Sequence, residues 1–191
     1  ERLMDFENDI EHCLQVLKTG GLILYPTDTV WGIGCDATNS EAVEKIYRLK
    51  NRSVNKAMIV LVATEQDVLQ HVAALDLRVF DYLEKTSKPT TVIYDGAIGL
   101  AENIIATDGS VAIRICNEIF CRHLIKRLRK PIVSTSANIS GEPVAETFAE
   151  IQNKIINGVD YIVKYRQDDK TISNPSSVIK WNNGTVTVIR P

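Results

Sequence analysis

The sequence is poor in the residues that build metal centres and disulfide frameworks. Its 191 residues include three histidines, which lie far apart, and four cysteines, Cys13, Cys35, Cys116 and Cys121, which form no C-x-x-C pair. The first residues also show no apolar signal segment. We therefore expect no tightly bound metal and a reduced, cytoplasmic setting.

Long apolar runs and a strong net charge are also absent. The longest apolar run, Met58 to Ala63, is the length of a strand, whereas a membrane-spanning helix needs about 20 apolar residues. The formal net charge of −2 gives the chain no overall attraction to nucleic acid or to anionic membranes. The composition is that of a globular protein, and the length favours one domain over residues 1–191. Any anion site must come from local clusters of basic residues.

Neither of the common nucleotide-binding motifs is present. No G-x-x-x-x-G-K-[ST] segment occurs, so the chain has no P-loop. Gly32 to Ala37 fits the dinucleotide pattern G-x-G-x-x-A, but turn residues separate it from the preceding strand, and the next helix begins only near Ser40. A nicotinamide site is therefore not predicted.

Hydrophobic periodicity predicts an α/β fold in which helices cover a mixed sheet. The expected helices run from Phe6 to Leu17, from Ser40 as N-cap to Lys50, through 65–85, from Glu118 to Leu128, and onward from a capping box at Thr147 and Glu150. An Asn182-Asn183-Gly184 turn requires antiparallel pairing. Strands are expected at 22–25, 58–62, 91–94, 111–115, 131–134, 161–163, 176–179 and 185–189.

Basic residues are concentrated in two clusters. The first basic cluster comprises Lys45, Arg48, Lys50, Arg52 and Lys56, and its last three members lie around one polar connection. Arginine offers a planar fork to phosphate oxygens and lysine a mobile point charge, so this spacing suits a polyphosphate, although a solvated loop is the alternative. The second basic cluster lies on a predicted helix and comprises Arg122, Lys126, Arg127, Arg129 and Lys130.

A run of small polar residues from Ser134 to Gly141 follows a short apolar strand. Alternation along the strand sends Ser134, Ser136 and Asn138 to one side, where they suit ligand binding. The alternative is that they turn the chain and bond to its backbone. A serine nucleophile is not favoured because there is no G-x-S-x-G elbow.

Several segments together resemble the YrdC-like threonylcarbamoyl-adenylate synthases. They are Tyr25 to Gly34, Lys50-x-Arg52 with Lys56, Ser134 to Gly141, Ser110 to Ile115, Pro175 to Val178 and Ile189 to Pro191. The resemblance implies a three-layer fold in which a twisted mixed sheet, with helices on both faces, surrounds a positively lined groove. The activity that it implies joins L-threonine, bicarbonate or CO2 and ATP into threonylcarbamoyl-AMP and pyrophosphate, which is a nucleotidyltransferase reaction.

The resemblance also assigns residues to ligands. It implies catalytic phosphate contacts by Lys50, Arg52 and Lys56, further ATP contacts by Ser136, Asn138 and Arg190, and threonine contacts by Thr27, Arg114 and Ser176. For Arg114, whose predicted place is within a strand, an internal ion pair is the alternative. Magnesium is expected with ATP, and the product is expected to pass to a separate tRNA threonylcarbamoyl transferase.

A binding module for tRNA or double-stranded RNA is the competing hypothesis. A groove that accepts ATP also suits a phosphate backbone, and the second basic cluster would extend it. Such binding would weaken steeply with salt and would not need threonine, whereas the synthase needs all three small substrates.

Overall fold

A computed structural model describes residues 5–53 and 58–191, and its centre is one nine-stranded mixed sheet. The strand order is β7-β1-β2-β6-β3-β5-β4-β8-β9. Three pairs are parallel (β1 with β7, β3 with β5, and β4 with β8), and the others are antiparallel. The strands are β1 (Ile23–Tyr25), β2 (Gly32–Gly34), β3 (Ile59–Val62), β4 (Thr90–Tyr94), β5 (Val111–Ile115), β6 (Ile132–Ser136), β7 (Tyr161–Ile162), β8 (Ser177–Asn182) and β9 (Thr185–Arg190).

Helices cover this sheet, which confirms the predicted mixed α/β fold. They are α1 (Glu7–Lys18), α2 (Ser40–Lys50), α3 (Glu65–His71), α4 (Arg78–Glu84), α5 (Ile119–Leu128) and α6 (Asn153–Gly158). Helix α1 packs on α5, and α2 packs on α6 and on the short 3-10 helix Glu102–Ile104. No helix in the described ranges is both long and apolar enough to cross a bilayer.

The packing of α1 follows from its sequence. Ile10, Cys13 and Leu17 recur at helical spacing and are all buried, while Phe6 meets the ring of Phe120 edge to face at 5.4 Å. Burying a side chain of this size stabilises the fold by about 1.5–3 kcal/mol. This contact fixes α1 against α5.

Two predicted helix starts were wrong. Asn39, not Ser40, is the N-cap of α2, because its backbone is extended and its side-chain oxygen accepts a hydrogen bond from Ala42 N at 3.1 Å. Thr147 makes no side-chain cap bond, and Glu150 Oε1 instead accepts from Glu146 N at 2.8 Å. The capping box is therefore absent, and a 3-10 helix, Phe148–Glu150, precedes α6.

The single helical region predicted for residues 65–85 is two helices. Helix α3 ends at His71 because Val72 is extended and forms a bridge with Ala97. Helix α4 begins only at Arg78. The apolar periodicity of this region therefore belongs to two separate packing surfaces.

The two glycines of β2 mark a close approach of backbones and not a dinucleotide fingerprint. A Cβ at Gly34 would lie 2.6 Å from the Tyr25 ring and 2.8 Å from the Val133 carbonyl oxygen, which already accepts the Tyr25 hydroxyl at 2.9 Å. A Cβ at Gly32 would lie 3.2 Å from Ser134 Oγ. Bare backbone here lets β1, β2 and β6 come together.

Candidate functional site

One cavity of about 300 Å³ opens on the sheet and brings together five of the nine predicted site residues. These are Arg52, Arg114, Ser136, Ser176 and Arg190. The rest of the wall is largely apolar and includes Trp31, Met58, Ile93, Ala112 and Val144. A cavity that combines apolar walls with a few convergent polar groups is the usual form of a small-molecule site.

Strand register explains why residues distant in sequence meet in the cavity. In β4 and β5, Thr91 lies opposite Arg114, and Thr91 also pairs with Val178 of β8. On the other side, Gly32 of β2 lies opposite Ser136 of β6. The cavity floor is thus a set of neighbouring strand positions, and the loops before β2 and β8 complete its rim.

Lys50, in the last turn of α2, does not itself line the cavity but bonds to two residues that do. Its side chain is only 1% exposed, and Nζ donates to Thr135 Oγ1 at 2.9 Å, to Ser136 Oγ at 3.3 Å and to the Ser136 carbonyl oxygen. These partners are neutral oxygens, and both of their residues line the cavity. Burial, with a smaller contribution from the charge of nearby Arg52, lowers the pKa of Lys50 to about 7. The ammonium group is therefore held beside the cavity in an environment that disfavours its charge.

Burial also lowers the pKa values of Arg52 and Arg190, and the positive charge of Arg114 adds to the effect at Arg190. Both guanidinium groups line the cavity. Because desolvation disfavours the charge of Lys50, Arg52 and Arg190, and a neighbouring cation adds to this at Lys50 and Arg190, a bound anion would relieve a cost that the fold already carries. Lys56, the third predicted phosphate contact, lies outside the described residues.

Asn138 does not line the cavity but holds Ser136 in place. Its side-chain oxygen accepts the Ser136 hydroxyl, and Nδ2 donates to the carbonyl oxygens of Glu142 at 2.8 Å and Ile139 at 3.2 Å. Ser136 therefore faces the cavity, while Asn138 bonds to the backbone of the turn behind it, as the alternative interpretation of this polar run predicted.

Arg114 forms the internal ion pair that the sequence left open. The guanidinium group is 2% exposed, and Nε and Nη2 donate to Asp28 Oδ1 at 3.2 and 3.0 Å. Nη2 also reaches Thr29 Oγ1 at 3.3 Å. Arg114 still lines the cavity, so any ligand carboxylate there meets a guanidinium group whose orientation Asp28 has fixed.

Thr27 is buried and its hydroxyl is used by the turn between β1 and β2. It donates to Val30 O at 2.7 Å and accepts from Thr29 N at 3.0 Å. Arg166 fastens the same turn by donating to Thr27 O at 3.0 Å. The structure brings Thr29 to the cavity in place of Thr27. Sequence reasoning missed this because the turn geometry of Thr27 to Val30 cannot be read from alternation.

Thr91 and Thr135 were also missed. Thr91 is completely buried, and its hydroxyl lies 2.8 Å from Ser176 Oγ. Thr135 Oγ1 accepts a hydrogen bond from the Lys50 ammonium group. A threonine in an apolar strand is also ordinary in a sheet, so these positions gave no separate sequence signal.

The second basic cluster does not join the cavity. Arg127 pairs with Glu7 and Glu11 on α1, Lys130 lies 3.4 Å from Asp36, and Arg122 donates to the Ala63 carbonyl oxygen. These contacts tie Arg127, Lys130 and Arg122 to neighbouring segments of the chain. Within the described ranges, no group of three His, Cys, Asp or Glu side chains is arranged to hold a metal ion.

Comparison with known proteins places this geometry in a family. The model of the Sua5/YciO/YrdC family, which carries the description "Telomere recombination", matches residues 15–191. The chain belongs to this family. A relative from Idiomarina loihiensis named threonylcarbamoyl-AMP synthase is 34% identical over 176 residues, which are 89% of this chain and 91% of the relative. A protein of the same name from Pseudoalteromonas translucida is 29% identical over 96% of this chain and 98% of its own length.

Solved structures of the family share the fold. P. abyssi Sua5 complexed with L-threonine superposes with a TM-score of 0.84 at 21% identity, over 95% of this chain and 53% of that one. E. coli YciO superposes with a TM-score of 0.82 at 20% identity, over 96% of this chain and 88% of that one. The chain thus spans about half the length of the P. abyssi protein and most of the length of its bacterial relatives.

Proposed function

We propose that this chain is a threonylcarbamoyl-AMP synthase, a nucleotidyltransferase that joins L-threonine, bicarbonate or CO2 and ATP and releases pyrophosphate. The names of the bacterial relatives support this proposal, as does the structure of P. abyssi Sua5 complexed with L-threonine. The observation that carries it is the buried ammonium of Lys50, which is held by neutral oxygens of Thr135 and Ser136, two residues that line the same cavity as Arg52 and Arg190. A triphosphate supplies anionic charge to all three of these cations.

In the proposed reaction, the threonine amine adds to CO2 and loses a proton, giving an N-carboxylate. An oxygen of this carboxylate attacks the α-phosphorus of ATP, and the bond to pyrophosphate breaks. No protein nucleophile is needed, so the protein contributes position and charge stabilisation. Lys50 and Arg52, with Lys56, are assigned to the phosphate oxygens, Ser136 to ATP, and Arg190 to the same ligand from β9.

The threonine end is assigned to Arg114 and Ser176, which lie together in the cavity, with Thr29 taking the place predicted for Thr27. Arg114 is the partner assigned to the substrate carboxylate, since it lines the cavity and its Nη1 group, unlike Nε and Nη2, does not donate to Asp28. ATP is expected to enter as its magnesium complex.

The four cysteines are free and buried, which suits the expected reducing, cytoplasmic setting. A tRNA threonylcarbamoyl transferase is the expected recipient of the product.

The test is a three-substrate omission assay. Purified protein is expected to release pyrophosphate only when ATP, L-threonine and bicarbonate are all present, and mass spectrometry is expected to find threonylcarbamoyl-AMP carrying carbon from isotopically labelled bicarbonate. An unchanged rate without threonine would contradict the proposal. RNA binding that weakens steeply with salt, with no pyrophosphate release, would favour the RNA-binding hypothesis instead.

A further inference from the structure

The two ends of the cavity are connected by a chain of buried hydroxyl groups. Arg114 Nη1 lies 3.5 Å from Thr91 Oγ1, Thr91 Oγ1 lies 2.8 Å from Ser176 Oγ, and Arg190 Nη2 donates to Ser176 Oγ at 3.3 Å. Arg190 Nε also donates to the Ser176 carbonyl oxygen at 2.8 Å. Two cations that can only donate hydrogen bonds therefore stand at opposite ends of two hydroxyls.

This arrangement restricts the direction of the bonds between them. Thr91 is completely buried, and the two contacts of Thr91 Oγ1 in the described ranges are Arg114 and Ser176. If Thr91 accepted from both, its own buried hydrogen would have no acceptor, and an unsatisfied buried donor is destabilising. Thr91 avoids this cost by accepting from Arg114 and donating to Ser176.

The same account of donors and acceptors fixes the direction of the Ser176 hydroxyl hydrogen. Its oxygen accepts from Thr91 and from Arg190, and a hydroxyl oxygen has two acceptor positions. The remaining group is its hydrogen. Ser176 lines the cavity, so this hydrogen points toward a ligand as a donor.

We infer that Thr91 is a positioning residue that, together with Arg190, fixes the Ser176 hydroxyl as a hydrogen-bond donor to an oxygen of the amino-acid substrate. This inference rests on the proposed function for the identity of that substrate. Arg114 and Ser176, which both line the cavity, then offer donors to the same ligand, and Thr91 sets the direction of the second because its own hydroxyl hydrogen is used by Ser176. Because Arg190 is also assigned to ATP, the chain of hydroxyls joins the two halves of the site.

The test compares Thr91→Val, which keeps the β-branched shape and removes the hydroxyl, with Thr91→Ser, which keeps the hydroxyl. We expect Thr91→Val to raise the KM for threonine about tenfold, the equivalent of one lost hydrogen bond, while the KM for ATP changes less than about twofold. Thr91→Ser is expected to restore the threonine KM. A purely structural role would lower stability in Thr91→Val without separating the two KM values.

Thr90→Val is the matched control. Thr90 is the preceding residue of β4, is also buried, and donates to Lys88 O at 3.0 Å, so its loss costs a hydrogen bond away from the cavity. Neither KM should move in this variant. An unchanged threonine KM in Thr91→Val, or equal rises in Thr91→Val and Thr91→Ser, would overturn the inference.

Two further measurements cover the cases in which a variant does not fold or the enzyme is inactive. If Thr91→Val does not fold, Ser176→Ala must show the same rise in threonine KM, and its absence there overturns the inference. Threonine binding to the full chain is measured by calorimetry beside the kinetics. Wild-type protein that binds threonine but releases no pyrophosphate contradicts only the proposed function, whereas a Thr91→Val protein that binds threonine as wild type does contradicts only the role of Thr91.

Discussion

Lys50 and Arg114 are comparably buried, at 1% and 2% exposure, but the fold treats their charges in opposite ways. Arg114 is paired with the carboxylate of Asp28 at 3.0 Å. Lys50 is held by hydroxyl and carbonyl oxygens of Thr135 and Ser136, and no ion pair to it occurs within 5–53 and 58–191. The charge of Arg114 is compensated by a carboxylate of the protein, whereas that of Lys50 meets only neutral oxygens in these ranges.

This difference separates two uses of a buried cation. A compensated guanidinium group is rigid and serves as an oriented donor, because its partner carboxylate fixes its plane. An uncompensated ammonium destabilises the empty protein, and that cost returns as affinity when an anion binds. We therefore expect loss of the Lys50 charge to lower activity and loss of the Arg114 ion pair to lower stability.

Replacement of Lys50 has the largest expected effect, which is a loss of catalytic activity. Lys50→Met removes the charge and retains an apolar stem, so kcat/KM for ATP should fall by about 100-fold or more, because an oriented donor to the transition state is lost. Steady-state pyrophosphate release measures this fall. Lys126→Met is the control from the second basic cluster and should stay within about twofold of wild type, and equal losses in both variants would show that only overall charge matters.

Removal of the Asp28 charge should mainly lower the stability of the folded protein. Asp28→Asn leaves the Arg114 charge buried without its partner and should lower the free energy of unfolding by about 3 kcal/mol. Urea denaturation followed by circular dichroism measures the change. The double variant Asp28→Asn with Arg114→Met should recover much of the loss, and a double variant less stable than Asp28→Asn would contradict the pairing argument.

The pH dependence should distinguish the two cations by a smaller effect. The native pKa of Lys50 is lowered to about 7 and that of an unfolded lysine is about 10.4, so between these values the unfolded chain holds more protons. The free energy of unfolding should therefore rise with pH through this window. ATP binding needs the charged form, so affinity should fall as pH rises above about 7, by at most about tenfold per pH unit.

Calorimetry in buffers of different ionisation enthalpy measures the accompanying proton uptake. Lys50→Arg is the control, because a guanidinium group stays charged across this range and should flatten the profile. Proton uptake that persists unchanged in Lys50→Arg would assign the titration to another group.

Local patterns predicted most elements because they depend on nearby residues. Helix α1 has an apolar face at helical spacing, and β3 is a short continuous apolar run typical of a buried strand. Both elements lie where the sequence predicted them. The N-cap Asn39 was missed because an N-cap is decided by one backbone conformation and one side-chain bond, and the start of α6 at Asn153 was missed because its N-cap, Gln152, makes no side-chain bond that a sequence pattern could show. Val72 broke a predicted helix because a bridge to Ala97, distant in sequence, outweighed local propensity.

The sequence predicted which residues line the cavity better than it predicted the contacts that those residues make with the rest of the protein. Arg114 and Ser176 are in the cavity because the register of β4, β5 and β8 brings them there, and that register is a property of the whole sheet. The use of Asp28 as the partner of Arg114, and of Thr91 between Arg114 and Ser176, depends on ångström distances that spacing along the chain does not contain.

The strand order has a consequence for how the site comes into existence. Thr29 precedes β2, Arg114 lies in β5 and Arg190 ends β9, so the cavity wall joins early, middle and late segments through long-range pairings. Such pairings are the slow part of folding because large loops must close first. A folding intermediate that has not yet docked β8 and β9 has no complete recognition surface, so substrate capture reports completion of the sheet and not the formation of any one of its parts.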